Sequence, residues 1–408
     1  MKRDKKKMEK KNSRETYRSI ERLYVPDWLA DRIRETNFDL VDQMRWLLEM
    51  DGAFNDILAV ERKEIDHVKH NEASLRNLLR APFLMVAPTL ESVEDWRCFV
   101  DDTATTVAVD RLIRKLPPLD ALAKMSVEHH NRVFLDLVTS VIHISVLAAP
   151  LLGITTEVAS YLVSVPTYKL RIALGKMNGL PLFRWRFNSP TFWYQFTASN
   201  LTDEMVAHQI MATSPIRMNS APGKAGWSEL RLPRDRNETY ASALMAYGCR
   251  ASTAASLFRL NQNAMRQRFF EMHGTSSPCG NTPNSLSWFV ETPTNRLHGT
   301  IFTWLYRAAL AAGANAPQAL IATNDVYQQI FGGQHAISVD RGCNLTRAMA
   351  ADNRLTIAPC RSCRTEYLVS NNETKIEMHH SFDCPACTGQ LGPKRRGTKA
   401  RARNDAQQ

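Results

Sequence analysis

Two pairs of cysteines near the end of the chain, Cys360-Arg361-Ser362-Cys363 and Cys384-Pro385-Ala386-Cys387, constrain this sequence more than any other feature. Two thiolates separated by two residues can both point into one turn, and two such turns complete the tetrahedral shell that zinc prefers. Four protein ligands leave no coordination position for water, so the expected metal is structural and not catalytic. An iron–sulfur cluster or redox-active thiol pairs are the alternatives for the same spacing. His379 and His380 lie close enough to compete, but four cysteines already satisfy the ion, and the histidines are expected to be exposed on a hairpin. Between the pairs, Tyr367-Leu368-Val369, then Asn371-Asn372, then Ile376 and Met378 predict a strand, a turn and a second strand.

The other four cysteines, Cys98, Cys249, Cys279 and Cys343, are scattered and are expected to be small buried hydrophobes. Eight cysteines in a chain of 408 residues that opens on charged residues instead of a secretory signal argue against a disulfide framework. The expected location is the cytoplasm. The formal charge of +11 resides in the tails: residues 1–14 hold eight Lys/Arg against Asp4 and Glu9, and residues 394–408 hold six against Asp405. The body between them is close to neutral, so a DNA-binding face must be local, and the tails serve either solubility or non-specific phosphate contact. Lys394, Arg395 and Arg396 would stand beside the metal-pinned turn and touch phosphate. The apolar stretch Phe134–Ile154 is long enough to span a membrane but contains Asp136, His143 and Pro150, so a buried helix is expected and no membrane partner.

From Ser252 to Gly274 the apolar positions Ala255, Phe258, Leu260, Met265, Phe269 and Met272 are spaced as two short helices broken near Asn261. This is helix-turn-helix spacing, although helical hairpins without nucleic acid share it. Asn261 can cap the second helix, whose exposed side would present Gln262, Asn263, Arg266 and Gln267, residue types that pair with base edges in the major groove. A second helical pair follows, carrying Phe302, Trp304, Leu305, Tyr306 and Leu310, then Ala319, Leu320, Val326, Tyr327 and Ile330, all expected in the core.

With these features in this order, residues 240–393 resemble the C subunit of the flagellar master transcriptional activator, the FlhC family. The likeness runs through Ala243–Gly274, Ser287-Trp288-Phe289, the helix with Phe302, Trp304 and Leu305, and Asn344–Leu355 leading into the cysteines. It implies a DNA-binding activator with a four-cysteine zinc site; the longer loop between the cysteine pairs is a departure. The family's C subunit works with a smaller helical D subunit, which residues 130–200 resemble: an apolar helix Val133–Leu152, Thr155 opening a second helix through Leu162, and a strand-like run from Phe183 to Phe187. Residues 38–115 repeat that order more faintly, with Phe54, Ile57 and Leu58, then Asn71 before Leu75, Leu78 and Leu79, and Trp96, Arg97 and Phe99 answering to Trp185, Arg186 and Phe187. An internal duplication or an unrelated helical extension fits this pattern.

The expected fold is therefore mostly α, with helical modules, a helix-turn-helix and a C-terminal four-cysteine zinc knuckle. The expected units are a basic lead-in (1–36), two D-subunit-like segments (37–126 and 127–218), a linker (219–239), a C-subunit-like DNA-binding domain (240–350), the knuckle (351–393) and a basic tail (394–408). The family implies promoter DNA and RNA polymerase as partners and flagellar or conjugative-transfer genes as targets. Its ratio of four D to two C subunits implies a homodimer of this chain. The rival expectation is a zinc-stabilised protein–protein adaptor without specific DNA binding. No P-loop, dinucleotide glycine fingerprint, nucleophile elbow or open metal triad points to an enzyme.

Overall fold

Helix α1 (Asp27–Met50) and helix α7 (Ala121–Ile144) have the same length, 24 residues, and pack antiparallel against each other. Arg32 Nη1 reaches Ser140 Oγ at 3.3 Å near one end, and Ser126 Oγ reaches Gln43 Oε1 at 3.1 Å near the other. The computed structural model describes residues 22–198, 201–219, 232–280, 285–332, 336–351, 354–372 and 375–391. The rest of the N-terminal half follows these two helices as a twofold repeat of elements.

After α1 come α2 (Phe54–Leu58), α3 (Arg62–His70), α4 (Glu72–Arg80), strand β1 (Val86–Pro88), α5 (Val93–Val100) and α6 (Val107–Lys115). After α7 come α8 (Ala148–Leu152), α9 (Thr156–Ser164), α10 (Thr167–Lys176), β2 (Phe183–Trp185), α11 (Pro190–Thr197) and α12 (Asp203–Ala212). The stop signals match as well. Asp51 ends α1 and its carboxylate accepts from the Ala53 amide, while Ser145 ends α7 and its hydroxyl accepts from the Leu147 amide. Ala59 and Gly153 close α2 and α8 in the left-handed conformation. Ser92 and Ser189 cap α5 and α11, and Thr106 and Thr202 cap α6 and α12.

Two buried asparagines fix each strand to its long helix in the same way. Asn37 donates to Phe83 O at 3.0 Å and accepts from Met85 N at 2.9 Å; Asn131 donates to Leu180 O at 2.9 Å and accepts from Leu182 N at 2.7 Å. The strands pair antiparallel with Ala87 opposite Arg184, flanked by Val86 with Trp185 and Pro88 with Phe183. This register is symmetric about a local twofold. Around it the copies interleave, with α5 packing on α9 and α10, α11 on α3, and α12 on α4.

The expected alignment of Trp96, Arg97 and Phe99 with Trp185, Arg186 and Phe187 is corrected. Trp96 lies on α5 and its counterpart is Trp193 on α11, with Phe99 answering to Phe196, whereas Trp185 is in a strand. The first copy also starts at Asp27, ahead of position 37. The expected single helix Val133–Leu152 is likewise two, because the chain turns at Ser145 to Leu147 between α7 and α8. Leu135, Val138, Val141 and Leu151 are buried by the repeat, and no helix of the described residues is long and apolar enough to cross a membrane.

The C-terminal half begins with α13 (Arg234–Ala246), inside the expected linker, and continues through α14 (Ala251–Phe258) and α15 (Gln262–His273). The short α16 (Trp288–Glu291) leads to the central α17 (Pro293–Ala311), which packs on α18 (Ala316–Phe331), and α19 (Val339–Ala351) leads to the final sheet. Phe302, Trp304, Leu305, Tyr306 and Leu310 on α17 and Ala319, Leu320, Val326, Tyr327 and Ile330 on α18 are buried as expected. Strands β3 (Leu355–Pro359), β4 (Glu366–Asn372) and β5 (Lys375–Ile376) form an antiparallel sheet in that order. The β4–β5 hairpin stands where it is expected, with a short second strand that excludes Met378, but the main partner of β4 is β3, upstream of the first cysteine pair. Helix α12 of the repeat lies against α17 and α18, Phe83 stacks near Trp304 with ring centroids 6.4 Å apart, and Asp325 accepts from the Val25 amide at 2.8 Å. The two halves therefore share buried contacts.

Candidate metal centre and nucleic-acid interface

The antiparallel pairing of β3 and β4, from Leu355 with Ser370 to Pro359 with Glu366, places Cys360 and Cys363 in the tight turn at the end of the ladder. Cys384 and Cys387 fold over that turn in a second one. The four sulfurs lie within 4.8 Å of one another, and Cys363 and Cys384 are 3.6 Å apart. A disulfide is excluded at that separation, and all four thiols are free. A tetrahedral zinc ion with bonds of about 2.3 Å would hold sulfurs about 3.8 Å apart, so the donor set fits a closed four-thiolate site. Backbone amides point at the sulfurs, from Cys384 N to Cys360 at 3.2 Å and from Cys387 N to Cys384 at 3.5 Å. His379 and His380 are exposed outside the cluster, with His379 3.0 Å from Thr356 Oγ1.

The charge within the cluster is unevenly held. A hydrogen bond from Cys384 and a further one from His208 hold the Cys363 thiol far below the usual range, while the same Cys363 contact pushes Cys384 up. Burial, then the Cys363 sulfur, pushes Cys387 up to about 12. A divalent cation at the centre would instead favour the thiolate form of all four.

His208 and Tyr367 form a second layer that the sequence did not disclose. His208 is on α12, in the N-terminal half, and is 4% exposed; its Nδ1 lies 2.8 Å from the hydroxyl of the fully buried Tyr367. The same imidazole also helps to hold the Cys363 thiol below its usual range. Groups of this kind orient metal ligands and tune their basicity. Of the scattered cysteines, Cys98, Cys249 and Cys343 are buried, but Cys279 is exposed, because it lies in the Ser- and Pro-containing loop after α15.

Helices α13, α14 and α15 form a three-helix unit. Arg259, at a φ of 53°, ends α14 in the left-handed conformation, and the Asn261 side chain caps α15 by accepting from Asn263 N and Ala264 N. Met265 and Phe269 turn inward and His273 lies 2.7 Å from Met245 O, which fixes the rotation of α15. Gln262, Asn263, Arg266 and Gln267 are exposed as expected, with Gln267 donating to Glu271 at 3.1 Å. Phe270, 55% exposed on the same outward side, was missed because sequence periodicity treats an aromatic as core. Lys394, Arg395 and Arg396 lie outside the described residues.

Residues 233–403 match the model of the family described as flagellar transcriptional activator (FlhC). The C-terminal part of this chain is similar to the FlhC family. The flagellar transcriptional regulator FlhC of Cupriavidus necator is 26% identical over 200 residues, spanning 47% of this chain and 92% of that protein. The FlhC of Thauera aminoaromatica is 29% identical over 149 residues (35% of this chain, 73% of that protein), and that of Paraburkholderia atlantica 25% over 156 residues (37% and 69%). The FlhC match opens at the N-terminus of α13, ahead of residue 240, and takes in the three-helix unit and all four cysteines. The twofold repeat precedes it.

Proposed function

We propose that this chain is a DNA-binding transcriptional activator whose FlhC module reads promoter DNA with α15, while the interleaved repeat takes the place of the family's D subunits. The observation that carries this reading is the geometry of α14, the three-residue turn and α15, which leaves Gln262, Asn263, Arg266 and Phe270 facing outward within a module of that family. An N-terminal stretch of such a helix can enter the major groove, where Arg pairs with guanine, Asn and Gln pair with adenine, and an aromatic meets the thymine methyl.

Zinc bound by Cys360, Cys363, Cys384 and Cys387 would lock the turn that holds α17 and the sheet together, a structural role with no reacting position. The basic tail at Lys394, Arg395 and Arg396 would add phosphate contacts without sequence preference. RNA polymerase is the expected partner at the promoter, and flagellar or conjugative-transfer genes are the expected targets. Two chains would pair symmetrically and present two reading heads to one site. A gel shift at moderate salt, with the DNA upstream of neighbouring genes, tests the reading: specific binding survives, whereas binding by the tails alone collapses. An adaptor would give no specific complex.

A further inference from the structure

A cavity of about 420 Å³ opens where the two strands of the repeat cross the local twofold. Arg184, Arg186 and Arg217 line it against a single acid, Glu91, which Arg184 meets at 2.6 Å. Arg184 Nε is buried and makes no hydrogen bond. Arg186 is 6% exposed, and all its contacts go to neutral groups: Thr213 Oγ1 at 3.0 Å, Ile210 O at 3.1 Å, Leu84 O at 3.3 Å and the face of Phe187. Neutral oxygens solvate a guanidinium but do not cancel its charge, and an uncompensated buried cation is costly. Burial alone pulls its pKa down to about 9.

The repeat supplies an internal control. At the position equivalent to Arg186 the first copy has Thr89, whose hydroxyl donates to Pro181 O at 2.8 Å, the counterpart of the Arg186 bond to Leu84 O. At the position equivalent to Arg184 it has Ala87. The fold at this crossing therefore needs no cation, and both guanidinium groups exceed what packing requires. Gly153 makes room for one of them, since a Cβ there would lie 2.9 Å from the Arg186 guanidinium carbon.

We propose that this cavity binds a small dianion of the phosphate or dicarboxylate class, held by Arg184 and Arg186 with the Asn188 amide at its rim. Guanidinium forks match the paired oxygens of either anion. Isothermal titration of the full chain with inorganic phosphate, and separately with succinate, against chloride at equal ionic strength, tests this. The expected result is one saturable site per chain for at least one anion, weakened about ten-fold or more by Arg184→Gln, as the loss of a charge-assisted hydrogen bond predicts. The anion that binds more tightly names the class. Arg184 is partly exposed, so its variant remains a test even if Arg186→Met fails to fold. Neutralising Lys394, Arg395 and Arg396 leaves that binding in place. Saturable heat from neither anion, unchanged binding in Arg184→Gln, or loss of binding with the tail charges would overturn the proposal.

Discussion

Cys384 receives the Cys387 amide while its own amide points at Cys360, so its replacement removes a candidate ligand and unsettles both turns. Cys384→Ser should release the metal and unfold the knuckle, because metal-binding energy in such small sites is folding energy. Elemental analysis of the wild-type chain should find one zinc; iron, or no metal, would contradict the assignment. The four candidate ligands are legible in the sequence because two short spacings bring them together. His208 is not, since it reaches Tyr367 across 159 residues of chain and nothing local marks it. His208→Ala leaves the buried Tyr367 hydroxyl without its partner, a cost of about 1–3 kcal/mol. It should also lower zinc affinity about 10- to 100-fold. Competition with a chromogenic chelator reads the second effect, and unchanged affinity would reduce His208 to a packing contact.

At the scale of elements, the sequence exposes what is periodic and hides what is paired through space. Helix α15, its Asn261 cap and the aromatic core of α17 can be read from spacing alone. The frame of the repeat cannot: tryptophans are the conspicuous residues, and matching Trp96 to Trp185 equates a helix with a strand. The register is carried by caps and by Asn37 and Asn131, which look unremarkable in sequence and each bind one strand amide and one carbonyl. Asn131→Ala strands both backbone groups in a buried site and should destabilise the protein by about 2–3 kcal/mol. Denaturant melting checks this, with Asn37→Ala expected to give a similar loss. The strand β3 was missed for a related reason: Leu355–Pro359 is short and acquires its identity only by pairing with β4.

For the whole molecule, the interleaving of α5 with α9 and α10, and of α11 with α3, means that neither copy of the repeat holds a complete core. Deleting residues 1–125 should expose Leu135, Val138 and Val141 on α7 and cause aggregation; a soluble, monodisperse product would show that the second copy is self-sufficient. Covalent linkage of the copies raises their effective concentration, so pairing within a chain should persist at any dilution. Pairing between chains should be seen in light scattering as a mass of about 92 kDa, twice the 46.2 kDa chain. The central claim is that α15 reads sequence while the tails supply charge. Its most direct test is the salt-dependent fluorescence anisotropy of one promoter fragment and a scrambled fragment with the wild-type chain, Arg266→Ala, and a chain neutralised at Lys394, Arg395 and Arg396. Arg266→Ala should lose about 1–3 kcal/mol on the promoter alone, whereas the neutralised chain should weaken on both fragments and show a shallower salt slope. Equal losses on the two fragments for both variants would contradict it.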